Sequence, residues 1–222
     1  MKTLLTIVLC FYAVSTLRAG DDEKYKNAMM KNILMIDTVS GTGSMLDLAN
    51  SFERIAYAEK DKWLPYYYTS FMYTIACFTD TAKTKSDEYL DKADNFIHVA
   101  DSLEPDESEI YVMKGMIAQA RMQVDPMNRW RKYGQIATNN LQKAIQLDTL
   151  NPRPEYLIGV SVYYTPEQFG GGPENAKPLL ENSLRKFRHF IPDNDLMPNW
   201  GRNSVDLLLK QIKEKTQTTK PE

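Results

Sequence analysis

The chain is poor in the residues that do chemistry: its 222 residues include two cysteines and two histidines. His98 and His189 fall on separate expected helices, and neither has a second His or a Cys at metal-ligand spacing. A metal centre or a nucleophile with its base therefore lacks its parts. His98 reads as a helix-surface or satisfied core residue. His189, after Arg185-Lys186-Phe187-Arg188, reads as a residue complementing a helix C-terminus. Cys10 lacks the small residue that lipoprotein cleavage needs just before its cysteine, and Cys77 sits in the apolar stretch Phe71–Phe78 as buried filler. The expectation is a protein that is not an enzyme, with no metal and no cofactor.

Strand patterning and a basic surplus are also missing. β-Branched alternation is nearly absent, which excludes a sheet protein. Lys and Arg number 27 against 29 Asp and Glu, a formal net charge of -2. Nucleic acid, which favours a basic face, is not an expected partner. The apolar run Leu4–Tyr12 is well short of the ~20 residues that a bilayer needs. It follows Lys2 and precedes the small, polar Ser15–Ala19, and so reads as a secretory signal peptide. Removing it takes away Lys2 and Arg18, leaving 25 basic side chains against 29 acidic ones, a charge of -4. The expected division is a signal peptide over 1–20, a single helical-repeat domain over 21–215 and a flexible tail over 216–222. The mature chain would be periplasmic or secreted, with no transmembrane segment.

What is present is helical periodicity, with small residues at a fixed spacing. An alanine is followed seven residues later by a small residue and about five further on by a stop: Ala93, Ala100, Pro105; Ala137, Ala144, Thr149; and, degenerately, Ala176, Ser183, Arg188. Gly115 and Gly159 take the small position of the partner helix, and Ala49 and Ala56 mark an atypical first copy. Small residues at such spacing let two helices of a hairpin approach closely, as in helical-repeat arrays. The pattern predicts nine helices, near 22–36, 45–60, 65–78, 86–103, 107–123, 131–147, 154–164, 174–190 and 200–215. The stretch Met127–Tyr133, with Arg129, Trp130, Arg131 and Lys132, is expected as a long connection in which Trp130 staples the loop rather than binding an acidic partner. The fold class is thus all-α, a tetratricopeptide-like α-solenoid of about four hairpins plus a C-terminal capping helix.

Phe169-Gly170-Gly171-Gly172-Pro173, leading into Ala176, resembles exported tetratricopeptide-like proteins of Gram-negative bacteria. The turn Pro166-Glu167-Gln168-Phe169-Gly170-Gly171-Gly172 is also similar to that of the periplasmic tetratricopeptide component associated with some TRAP transporters. Pro198-Asn199-Trp200-Gly201 is the second specific stretch. The chain departs from the repeat consensus where Tyr66, Tyr111 and Glu155 stand at the Trp register. The resemblance implies a binding scaffold. The three glycines could cradle a phosphate, but no Lys-Ser/Thr pair follows and no strand precedes them, so a tight turn is expected.

Candidate binding residues come from the most aromatic helix. Tyr66, Tyr67 and Tyr68 are consecutive, and at about 100° per residue they cannot all face one core, so one is expected to leave it. In tetratricopeptide arrays the first helix of each hairpin lines the concave surface. Transferred position by position, this selects Tyr67 and Phe71, then Val112, Met116 and Gln119, then Tyr156, Val160 and Tyr163. The expected function is non-catalytic binding of a protein or peptide in that groove. The alternative is a transport-associated protein holding a small apolar ligand in a central cavity, and the same side chains could instead fill hairpin interfaces.

Overall fold

The computed structural model describes residues 22–218, and nine α-helices lie among them. They are α1 (22–35), α2 (Thr42–Ala58), α3 (Trp63–Thr79), α4 (Ser86–Leu103), α5 (Ser108–Val124), α6 (Pro126–Leu147), α7 (Arg153–Tyr164), α8 (Pro173–His189) and α9 (Arg202–Thr218). No strand occurs among the described residues. The signal peptide over 1–20 and its cleavage site lie outside them, as does the end of the expected tail; the backbone of 216–218 continues α9.

From α2 onward, consecutive helices pack on one another, and α3, α5 and α7 also touch in sequence as one layer. Small residues make the hairpins close. Ala93, Ala100, Ala137, Ala144, Ala176 and Ser183 are all buried. A Cβ built on Gly115 would lie 2.7 Å from Leu141 Cγ of the facing helix, so only glycine admits that approach. Hydroxyls hold the same seams: Ser70 donates to the Ala93 carbonyl (2.8 Å), Ser108 to that of Ala144 (3.0 Å) and Ser183 to that of Pro152 (2.8 Å).

The glycine turn is tight rather than anion-binding in form. A single 3₁₀ turn, Glu167–Phe169, runs into Gly170 at φ 82°, and Gly172 stands at φ 97°, both left-handed values that disfavour a side chain. The Gly172 amide donates to the Val162 carbonyl at 2.9 Å, closing the loop onto α7.

Two expectations fail. Met127–Tyr133 is not a connection: α6 begins at Pro126, with Asp125 accepting from the Asn128 amide (3.4 Å). Asp125-Pro126 stops α5 and also starts α6, because proline suits a first helical position as well as it ends a preceding helix. Trp130 therefore stands exposed on a helix, with the Arg131 guanidinium over its ring at 5.3 Å, rather than stapling a loop, while Arg129 grips Asp87 through two hydrogen bonds of 2.7 and 2.8 Å. Nor does any of the three consecutive tyrosines leave the core: Tyr66, Tyr67 and Tyr68 are all buried. The rotation argument assumes a helix with one buried face. Here α3 is enclosed by α2, α4, α5 and the segment leading into α9.

Candidate functional site

The inner layer of α3, α5 and α7 carries all eight residues selected from the sequence. Tyr67, Phe71, Val112, Met116 and Gln119 are buried, and Tyr156, Val160 and Tyr163 are half-buried. Tyr67, Phe71 and Tyr156 are brought together by one residue, Trp200, whose ring stacks on Phe71 at 5.0 Å and meets Tyr156 edge-on at 6.4 Å. Gln119 donates to the Leu157 carbonyl (3.0 Å), linking α5 to α7. Val160 and Tyr163 instead pack toward a second core formed by α8 and α9, where Lys215 donates to the Tyr163 hydroxyl at 2.9 Å.

A segment of the chain itself covers this layer. Residues 190–201 leave α8 and cross the ends of α3 and α7 before α9 begins. The Tyr68 hydroxyl donates to the Leu196 carbonyl (2.9 Å), the Trp200 indole N–H donates to the Tyr67 hydroxyl (2.9 Å), and Arg153 donates to the Pro198 carbonyl. Leu196 and Pro198 are buried. The strap thus lies over the layer where a peptide ligand was expected. The only sequence signal for it is a tryptophan that follows two prolines, Pro192 and Pro198, in a stretch without helical period.

Beneath the strap lies a buried ionic knot that sequence reading missed. Arg153 and Glu109, both almost fully buried, pair at 2.8 Å. Glu109 Oε1 also accepts from Asn151 Nδ2 (2.6 Å), and its Oε2 from the Tyr67 hydroxyl (3.2 Å). Burial pushes the Glu109 carboxyl up, and Arg153, Asn151 and Tyr67 oppose that push. Burial likewise holds the Tyr67 phenol well above its ordinary value. The Arg153 guanidinium lies 4.7 Å from the Phe190 ring centre and 5.4 Å from that of Trp200, so its face is covered by aromatics. Every charge here is matched internally, and the knot ties α5, α7 and the strap together.

Two clefts open on the outer surface. One, of about 550 Å³, runs between α8 and α9, floored by Leu184 and Leu209 and edged by Lys177, Arg185, Arg188 and Lys213. The other, of about 470 Å³, lies between α4 and α6 with α5 as its floor, and includes Ile97, His98, Ile117, Tyr133 and Ile136. Its cations are already engaged: Lys114 pairs with Asp101 at 2.8 Å, and Arg121 with Asp91 and Asp94 at 2.6 Å each. The two histidines are exposed and stand on α4 and α8. Among the described residues no group of three His, Cys, Asp or Glu side chains could hold a metal ion, and no helix is long and apolar enough to cross a membrane.

No protein-family model and no curated protein matches the sequence. Among solved structures the chain is similar to the HusA haemophore from Porphyromonas gingivalis, at 33% identity and a TM-score of 0.77. The match covers 89% of this chain and 97% of that one. Identity at this level along the whole of the haemophore is more than a shared arrangement of helices, and the relative is a binding protein rather than a catalyst. The chain belongs to the family of the HusA haemophore.

Proposed function

We propose that the protein is an exported, non-catalytic carrier of a haem-type ligand, an apolar ring system bearing acidic side arms. The observation that carries this reading is the 33% identity to a haemophore over 97% of that chain. The leader-like first twenty residues support export. The interior supports a fixed scaffold, because Glu109, Arg153, Asn151 and Tyr67 are engaged with one another and the open clefts lie on the surface. The small-residue register and the α3, α5, α7 layer support reading the hairpins as tetratricopeptide-like. Association with a TRAP transporter has the glycine turn alone in its favour. A protein or peptide seated on the inner layer would have to displace residues 190–201 together with the hydrogen bonds of Trp200 and Leu196.

The test is a titration of haemin into the chain beginning at about Asp21, followed by the Soret band and by quenching of tryptophan emission. Saturable spectral change is the expected result. A linear response without saturation overturns the haem reading, and capture of a defined peptide by the same haemin-inert protein would put the peptide reading in its place.

A further inference from the structure

We infer that the cleft between α8 and α9 is the binding site for an apolar ring carrying paired carboxylates, with Arg185 and Arg188 receiving the carboxylates and Leu184 and Leu209 receiving the ring. The inference rests on the proposed haem-type function and assigns it a place in the molecule.

The placement follows from helix periodicity. Lys177, Glu181, Leu184, Arg185 and Arg188 recur at steps of four, three, one and three residues, which sets them along one side of α8. The eleven residue steps from Lys177 to Arg188 span roughly 16 Å at the α-helical rise. Leu209 and Lys213, four apart on α9, form the opposite wall. The helices are joined beside the cleft by Ala176, Leu180 and Phe187 against Val205, Leu208 and Ile212, so the walls are rigid. Leu184 and Leu209 are left half-buried, an apolar floor within reach of solvent.

Charge selects the ligand. The cleft has four cations and one carboxylate, Glu181, a local balance of 4 − 1 = +3 in a chain whose formal net charge is -2. None of the four cations is in an ion pair among the described residues; Arg185 donates to Asn182 Oδ1 (2.7 Å) within its own helix. Elsewhere the guanidinium groups of Arg121, Arg129 and Arg153 are each committed to a carboxylate. Uncommitted guanidinium groups three residues apart on one helix have Cβ atoms about 5–6 Å from each other. That spacing suits two carboxylates on neighbouring arms of a ring, each able to take two parallel N–H donors. The cleft between α4 and α6 lacks free cations, because Lys114 and Arg121 are paired with carboxylates; its floor residues Ile97, Ile117 and Ala118 are nearly closed off, and its accessible apolar surface is Ile136 on the α6 wall.

The experiment compares haemin with haemin dimethyl ester, in which both carboxylates are masked, on the wild-type chain and on the double variant Arg185→Glu/Arg188→Glu. Both substituted positions are exposed, and circular dichroism with a thermal melt establishes that the variant is folded; Lys213→Glu serves as an independent second variant on α9. Haemin should bind the wild type at least about tenfold more tightly than the double variant, and the ester should not distinguish the two proteins. Wild-type and variant proteins that bind haemin equally would overturn the site while leaving the haem reading standing. A wild type that binds neither compound would overturn both.

Discussion

Helices α3 and α8 have the same length and opposite environments. Thirteen of the 17 residues of α3 are buried, whereas α8 buries four of its 17, Ala176, Leu180, Ser183 and Phe187. The first is apolar or hydroxyl-bearing all round and is enclosed by other helices and the strap. The second turns one stripe inward and presents cations and a half-buried leucine outward. Aromatic richness therefore marks the centre of this protein, whereas the outward side of α8 combines half-buried apolar surface with cations outside any ion pair among the described residues. The comparison breaks first at the buried knot. Replacing Arg153 with Met would leave the Glu109 carboxylate buried without its cation and should lower unfolding free energy by about 3–5 kcal/mol, read by denaturant titration. Adding Glu109→Gln to that variant should restore part of the loss, since no unpaired charge then remains. An Arg153→Met protein of near wild-type stability would mean that the centre is no more demanding than the periphery.

A smaller effect is expected at the hairpin seam. Gly115→Leu puts a branched side chain where a single Cβ would already lie 2.7 Å from Leu141. Overpacking of this kind destabilises by about 1–3 kcal/mol, which a thermal melt resolves. Charge changes on the exposed face of α8, such as Arg185→Glu, should shift the melt far less, within about 0.5 kcal/mol. If the two substitutions behaved alike, the contrast between enclosed and open helices would lose its energetic meaning.

Local features of the fold were legible in the sequence, and long-range ones were not. Ala93, Ala100, Gly115 and Gly159 announce close helix contacts because their spacing within a helix is the signal, and the positions of eight helices follow from periodicity, proline and capping residues. The start of α6 was missed because Asp125-Pro126 acts on both flanking helices. The enclosure of α3 was invisible because a helix buried on all sides loses its amphipathic stripe. The eight candidate residues fall on one layer of helices, but the strap that covers it was not legible, since Trp200 meets Tyr67 across 133 residues of chain and no periodicity reports such a pairing. The knot was hidden for the same reason: Glu109 and Arg153 stand 44 residues apart, each inconspicuous within its own helix. The cations of the α8–α9 cleft were visible as residues, but their standing outside the ion pairs of the described residues is a property of the packed structure alone.

The smallest effect should come from the acidic cluster on α4, which sharpens the comparison from the solvent side. Asp87 accepts two hydrogen bonds from Arg129 and also lies 3.5 Å from Arg121, and the Arg129 hydrogen bonds hold its carboxyl below the ordinary range. A depressed carboxyl contributes stability above its unfolded value of about 3.9 and loses it as pH falls through the folded value. Asp87 is nearly half exposed, so solvent screening should reduce the contribution to about 0.5 kcal/mol. Asp87→Asn should accordingly lower the denaturation midpoint slightly at pH 7, and the difference from wild type should vanish in acid below the folded value. A difference that persisted in acid would show that Asp87 acts through packing or capping at the start of α4 instead of through its charge, and that the ion pairs joining α4 to α6 are ornaments of a seam held by its buried small residues.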